Sequence, residues 1–78
     1  MPPALQNGHA RIYLPDGSIE NYLVSDNTSL ADIRASNPLA YLKEKHANLT
    51  HHNANYLLED GKEYDLIEPG TLSIILII

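Results

Sequence analysis

Cysteine, tryptophan and phenylalanine are all absent from this chain of 78 residues. Without cysteine there is neither a disulfide framework nor a thiolate metal site to reinforce a small core. Without the two larger apolar rings, aromatic burial falls to five tyrosines. Cations are scarce: Arg11, Arg34, Lys43, Lys45 and Lys62 stand against ten acidic residues, for a formal charge of -5. Scattered in this way they make no basic stripe, so nucleic acid is not expected as the partner. Long hydrophobic runs are missing too. Ile74 to Ile78 is far too short to cross a bilayer, and Met1 to Ala10 has neither the basic nor the apolar part of a signal peptide. A cytoplasmic protein without membrane contact is the expectation.

What is present suits one compact domain. The chain is too short for two cores, and 44% of it is hydrophobic, too much for a disordered tail. Pro2, Pro3, Asn7 and Gly8 make residues 1–9 read as a flexible leader, and residues 10–78 as a single domain. Ala10, Ile12 and Leu14 alternate with Arg11 and Tyr13. Pro15-Asp16-Gly17-Ser18 then supplies a turn before Ile19, Tyr22, Leu23 and Val24, which predicts an antiparallel hairpin over 10–24. Ser29 is placed to cap a helix, with Asp32 completing a capping box. Asn37 is placed to cap a second helix with Pro38 in its first turn, in which Leu39, Leu42, His46 and Leu49 form a buried stripe. The two apolar stripes are out of phase, so two short helices or one bent helix is expected.

Beyond the polar junction His51 to Asn55, short strands are expected at 56–58 and 63–67, with Asp60-Gly61 turning between them. Thr71 to Ile78 reads as a final strand with both faces largely apolar. Leu72, Ile74, Leu76 and Ile78 point one way, and Ile75 and Ile77 the other. One helix layer covers one face of a sheet, so the side carrying Ile75 and Ile77 calls for a second cover.

The segment from Arg11 to Ile33, with its Leu-Pro-Asp-Gly-Ser turn and capped helix, resembles the opening of the TGS domain. Residues 56–77, with a turn, a short strand, the Pro69-Gly70 loop and an apolar strand, resemble the closing half of TGS and of the sulfur-carrier and ubiquitin-like proteins. Together these segments cover about three fifths of the chain. The resemblance implies an α+β, β-grasp fold: a mixed sheet of four or five strands on one long or bent helix. It also implies either a ubiquitin-like or sulfur-carrier relative, or an RNA-associated regulatory domain of the TGS kind. Carriers are activated at a terminal Gly-Gly, however, and this sequence has Leu76, Ile77 and Ile78 in that place.

Catalytic chemistry finds little support in the residues. No nucleophile elbow, His-Glu-x-x-His spacing or Gly-rich phosphate loop occurs. His46, His51 and His52 lack the spacing of a metal shell and read as a helix-margin residue and two exposed loop residues. No catalytic, cofactor or metal residue is assigned, and no enzyme is expected. The expected function is binding of another protein or of a second copy of this small acidic chain. Tyr13 and Tyr22, expected to face one another across the hairpin, would form with Ile75 and Ile77 the centre of an interface fringed by Glu59, Asp60 and Glu63.

Overall fold

The computed structural model describes residues 3–69. Five strands form one mixed sheet in the order β2-β1-β5-β3-β4, with β1 at His9–Tyr13, β2 at Ile19–Leu23, β3 at Tyr41–Glu44, β4 at Thr50–His51 and β5 at Glu63–Ile67. β1 runs antiparallel to β2 and parallel to β5, and β3 runs antiparallel to both β5 and β4. One helix, α1 at Leu30–Arg34, packs on one face. This is the α+β, β-grasp-like architecture that the order of elements implied.

Local chemistry explains the first half. In the β1–β2 hairpin, Leu14 N–H donates to the Ser18 carbonyl at 2.9 Å and Gly17 N–H to the Leu14 carbonyl at 3.0 Å. Pro15 supplies the fixed φ that a turn favours at its second position, while Gly17 sits at φ 91°, where a Cβ would be strained. Asp16 Oδ1 accepts from both the amide and the hydroxyl of Ser18, at 2.8 and 2.6 Å. The capping box is present as well: Ser29 Oγ accepts from Asp32 N–H, and Asp32 Oδ2 accepts from Ser29 N–H at 3.0 Å. Satisfying these donors matters because a helix of five residues cannot sustain itself. It ends at Ala35, whose φ of 52° leaves the helical region.

The second helix is replaced by a hairpin. Asn37 does not cap a helix; its Oδ1 accepts from Leu39 N–H at 3.2 Å, and Ala40 N–H reaches back to the Asn37 carbonyl. Pro38 therefore occupies the second position of a turn. Tyr41 to Glu44 then alternates half-buried and buried residues, the period of a strand. Of the proposed stripe only Leu42 is buried, while Leu39 at 68% and Leu49 at 49% are exposed on turns. Their three-and-four spacing arises from a turn, a strand and a second turn. The strand expected at 56–58 is reduced to one bridge between Leu57 and Ser29.

The core lies between the sheet and α1. Ala10 and Ile12 from β1, Leu42 from β3, and Tyr64 and Leu66 from β5 meet Leu30, Ala40 and Leu58 there. Ile12, Leu30 and Leu42 are wholly buried, each contributing about 1.5–3 kcal/mol of transfer free energy. The strand parallel to β1 is Glu63–Ile67, the segment read from sequence as the shorter neighbour of the last strand. The strand expected at 71–78 lies outside the described residues. No helix among the described residues is long and apolar enough to cross a membrane.

Candidate interaction surface

Strand alternation puts His9, Arg11 and Tyr13 of β1 on the sheet face away from the core, in register with Leu23, Asn21 and Ile19 of β2. Glu63, Asp65 and Ile67 of β5 continue that face, as do Tyr41 and Lys43 of β3. Arg11 organises its centre. The residue is only 3% exposed, and its guanidinium has a partner in three directions. Nε donates to Asn21 Oδ1 at 2.9 Å, Nη2 to the Pro3 carbonyl at 2.6 Å, and Nη1 to Glu63 Oε2 at 3.3 Å. Tyr13 donates its hydroxyl to the same Glu63 oxygen at 2.9 Å, and His46 Nε2 lies 2.8 Å from Oε1. The hydrogen bond from His46, then that from Tyr13, hold the Glu63 carboxyl below its ordinary range. Lys45 pairs with Asp65 at 3.0 Å while its ammonium sits 4.3 Å from the centre of the Tyr13 ring.

Ions of both signs thus meet across the middle of the face, where Glu63 and Asp65 are both paired. Apolar exposure moves to the margin. Ile19 is 42% and Leu23 44% exposed, on the edge strand. Within the hairpin, the Leu14–Ser18 bond and the bond from Val24 N–H to the Gly8 carbonyl bracket the ladder. Antiparallel pairing alternates, so Glu20 and Tyr22 direct their backbone groups to β1 while Ile19, Asn21 and Leu23 direct theirs away from it. β2 pairs with β1 alone among the described strands. Its outer edge therefore offers three N–H and three C=O groups between two exposed aliphatic side chains.

A second polar cluster lies on the helix side. Glu44, 6% exposed, accepts from Lys62 Nζ at 2.9 and 3.0 Å and meets His51 Nε2 at 2.7 Å. Chiefly the His51 bond, then Lys62, hold its carboxyl below the usual range. The His51 ring stacks on Tyr56 with centroids 3.7 Å apart. The Tyr56 hydroxyl lies 2.7 Å from that of wholly buried Tyr64, which also accepts from Glu59 N–H at 3.1 Å. No buried side-chain nitrogen or oxygen among the described residues lacks a partner. The cluster joins β3, β4 and β5 through internal bonds.

The residues singled out from sequence are distributed rather than gathered. Tyr13 and Glu63 do meet. Tyr22 stands opposite Ala10, and Tyr13 opposite Ile19, so the two tyrosines take opposite faces instead of facing one another across the hairpin. Tyr22 packs on the core, with its hydroxyl donating to Glu20 at 2.6 Å. Glu59 belongs to the helix-side cluster, and Asp60 accepts from Gly8 N–H at 2.8 Å. Ile75 and Ile77 lie outside the described residues. The histidines separate too: His46 is on Glu63, His51 is half-buried on β4 instead of exposed in a loop, and His52 stacks on Tyr41 at 4.3 Å. Among the described residues no group of three His, Cys, Asp or Glu is placed to hold a metal ion. Sequence reasoning missed Arg11, Asn21, Ile19 and Leu23 as a set. The three-residue turn would have located them, because it fixes Ile19 opposite Tyr13.

Among the described residues, fold and surface together define a small β-grasp-like domain with the outer edge of β2 open along its full length and an ion-paired face beside it. Comparison with protein-family models, curated proteins and solved structures finds no significant match for the chain.

Proposed function

We propose that this chain is a non-catalytic protein-binding module that takes an extended segment of its partner as a further strand along β2. The observation that carries the reading is the outer edge of β2, with the backbone groups of Ile19, Asn21 and Leu23 aimed away from the sheet beside two exposed aliphatic side chains. Strand addition draws affinity from main-chain bonds and specificity from alternate side chains. The edge supplies both, since Ile19 and Leu23 would flank every second residue of an incoming strand. Sheets normally blunt such an edge with lysine, proline, a bulge or shortness. β4, at the opposite margin, has two residues, whereas β2 has five and contains neither lysine nor proline.

The test is an amide-resolved titration of the dilute protein with short peptides of alternating apolar and polar residues. Binding along β2 should shift and protect the amides of Ile19, Asn21 and Leu23 ahead of those of β4. Shifts confined to another surface, or none with any peptide, would reject the reading.

A further inference from the structure

The edge of β2 has a symmetry that a general strand acceptor does not need. We infer that the partner it fits best is a second copy of itself, paired antiparallel about a two-fold axis through Asn21. The inference rests on the strand-addition reading and names its occupant.

Parity supports it first. An antiparallel pair of β2 strands centred on Asn21 sets Asn21 against Asn21, Ile19 against Leu23 and Leu23 against Ile19. These are the residues whose N–H and C=O groups point away from β1, so each of the three opposed pairs is one that exchanges two hydrogen bonds. A register displaced by one residue would set outward-bonding positions against inward-bonding ones and lose those bonds. Side chains agree with the parity. Both Ile19–Leu23 pairs join exposed aliphatic groups on the outer face, in line with Tyr13 on one side and His9 on the other. On the helix side Glu20 would oppose Tyr22 of the second copy, the same carboxylate and phenol that already bond at 2.6 Å within each chain. Glu20 is the only charged residue of the strand, and the pairing sets it against tyrosine instead of against its own copy. Asn21 is held in place from within, since Arg11 donates to its Oδ1. The central backbone of the edge is thereby fixed before the partner arrives.

A single five-residue edge buries well under the roughly 800 Å² per partner of a standard stable interface. The dimer is accordingly weak. It therefore forms where the chain is concentrated or tethered and leaves the edge open to other strands when dilute.

Two exposed substitutions test the register. In homodimers Ile19→Lys sets each new lysine against Leu23, and Leu23→Glu sets each new glutamate against Ile19, so each variant alone should self-associate about tenfold more weakly. Mixed in equal amounts, they place the new lysine opposite the new glutamate while the second Ile19–Leu23 pair is kept. Sedimentation equilibrium should show the mixture recovering most of the parent's association, less so at high salt. Amide exchange at Asn21 in the parent should slow as concentration rises. Association that neither variant weakens, or that the mixture fails to restore, overturns the two-fold pairing. A parent monomeric at millimolar concentration overturns it too, while protection of β2 by the alternating peptides would leave the strand-addition reading standing. Protection of Asn21 that does not depend on concentration and is unmoved by those peptides overturns both.

Discussion

Replacing Tyr64 with phenylalanine removes one oxygen from a wholly buried ring and leaves its volume in place. The oxygen has two partners, the Tyr56 hydroxyl at 2.7 Å and the Glu59 amide at 3.1 Å. Edge-on contacts of the ring with His51 and Tyr56, at 6.2 and 6.1 Å between centroids, survive the change. Only hydrogen bonding is lost, at about 0.5–1.5 kcal/mol net for each bond and about 1–3 kcal/mol for both. For a domain of this size each kcal/mol lowers the melting temperature by roughly 4–8 °C, so the variant should melt about 4–24 °C lower. Tyr56→Phe deletes the shared bond and a long 3.5 Å bond to Glu59 Oε2 but leaves Tyr64 its amide, and with that contact at the limit of hydrogen-bond distance it should cost about half as much. Since the shared bond can be lost only once, the double variant should be about as stable as Tyr64→Phe alone, with a coupling of about 0.5–1.5 kcal/mol. Urea unfolding of the four proteins, followed by far-ultraviolet circular dichroism, measures all of this. Additive single effects, or a Tyr64→Phe protein within about 0.3 kcal/mol of the parent, would show that the tyrosine pair is not the link assigned to it.

Titration should reveal the same groups from outside. Burial and then Glu20 push the Tyr22 phenol from 10.0 up to about 12, and burial raises Tyr56 and Tyr64 as well. A raised value in the folded state means stability that is complete below the ordinary tyrosine pKa and lost as pH rises through the folded one. Glu44 and Glu63 act oppositely: lowered from 4.5 by His51 and His46 in first place, they stabilise above that value and cease to do so as pH falls. Urea midpoints should therefore decline below roughly pH 5 and above roughly pH 10, and an alkaline limb that is flat to pH 12 would contradict the burial of the tyrosines. Arg11→Lys keeps the charge but cannot reach Asn21, Glu63 and the Pro3 carbonyl together. Faster hydrogen exchange at Ala4 to Asn7 is expected, and unchanged exchange would separate Arg11 from the leader.

Legibility in the sequence followed the range of the chemistry. The β1–β2 hairpin and the Ser29 cap could be read because each is written within a few consecutive residues: a Pro-Asp-Gly turn, and a serine three places before an aspartate. The segment from Asn37 to Leu49 misled because its deciding contacts are remote. Tyr41 to Glu44 becomes a strand by pairing with residues 64–67, and nothing local distinguishes that outcome from a helix with the same apolar spacing. His51 was legible only as polar, since the groups that draw it inward, Glu44 and Tyr56, come from other parts of the chain. Tyr13 meets Glu63, whereas Tyr22, expected across the hairpin from Tyr13, takes the opposite face because the length of the turn sets Ile19 against Tyr13. The alternation in Ile-Glu-Asn-Tyr-Leu is plain in the sequence, but it acquires meaning only once β2 is seen to pair with β1 alone among the described strands.

The place of β5 bears on how the molecule comes into being. It lies between the two hairpins, touching β1 on one side and β3 on the other, and the Arg11–Glu63 contact closes a separation of 52 residues. Each hairpin can form early from its own neighbours, but until β5 arrives they are two ribbons without a common sheet. Closing so wide a loop is the slow kind of step, because the entropy is lost before the contacts form. During synthesis the first four strands wait for the fifth, and for that interval the inner edge of β1 is open as well as the outer edge of β2. Among the described strands, completion of the fold thus covers the inner edge of β1 and leaves the outer edge of β2 as the place where a stray strand could join the hairpin.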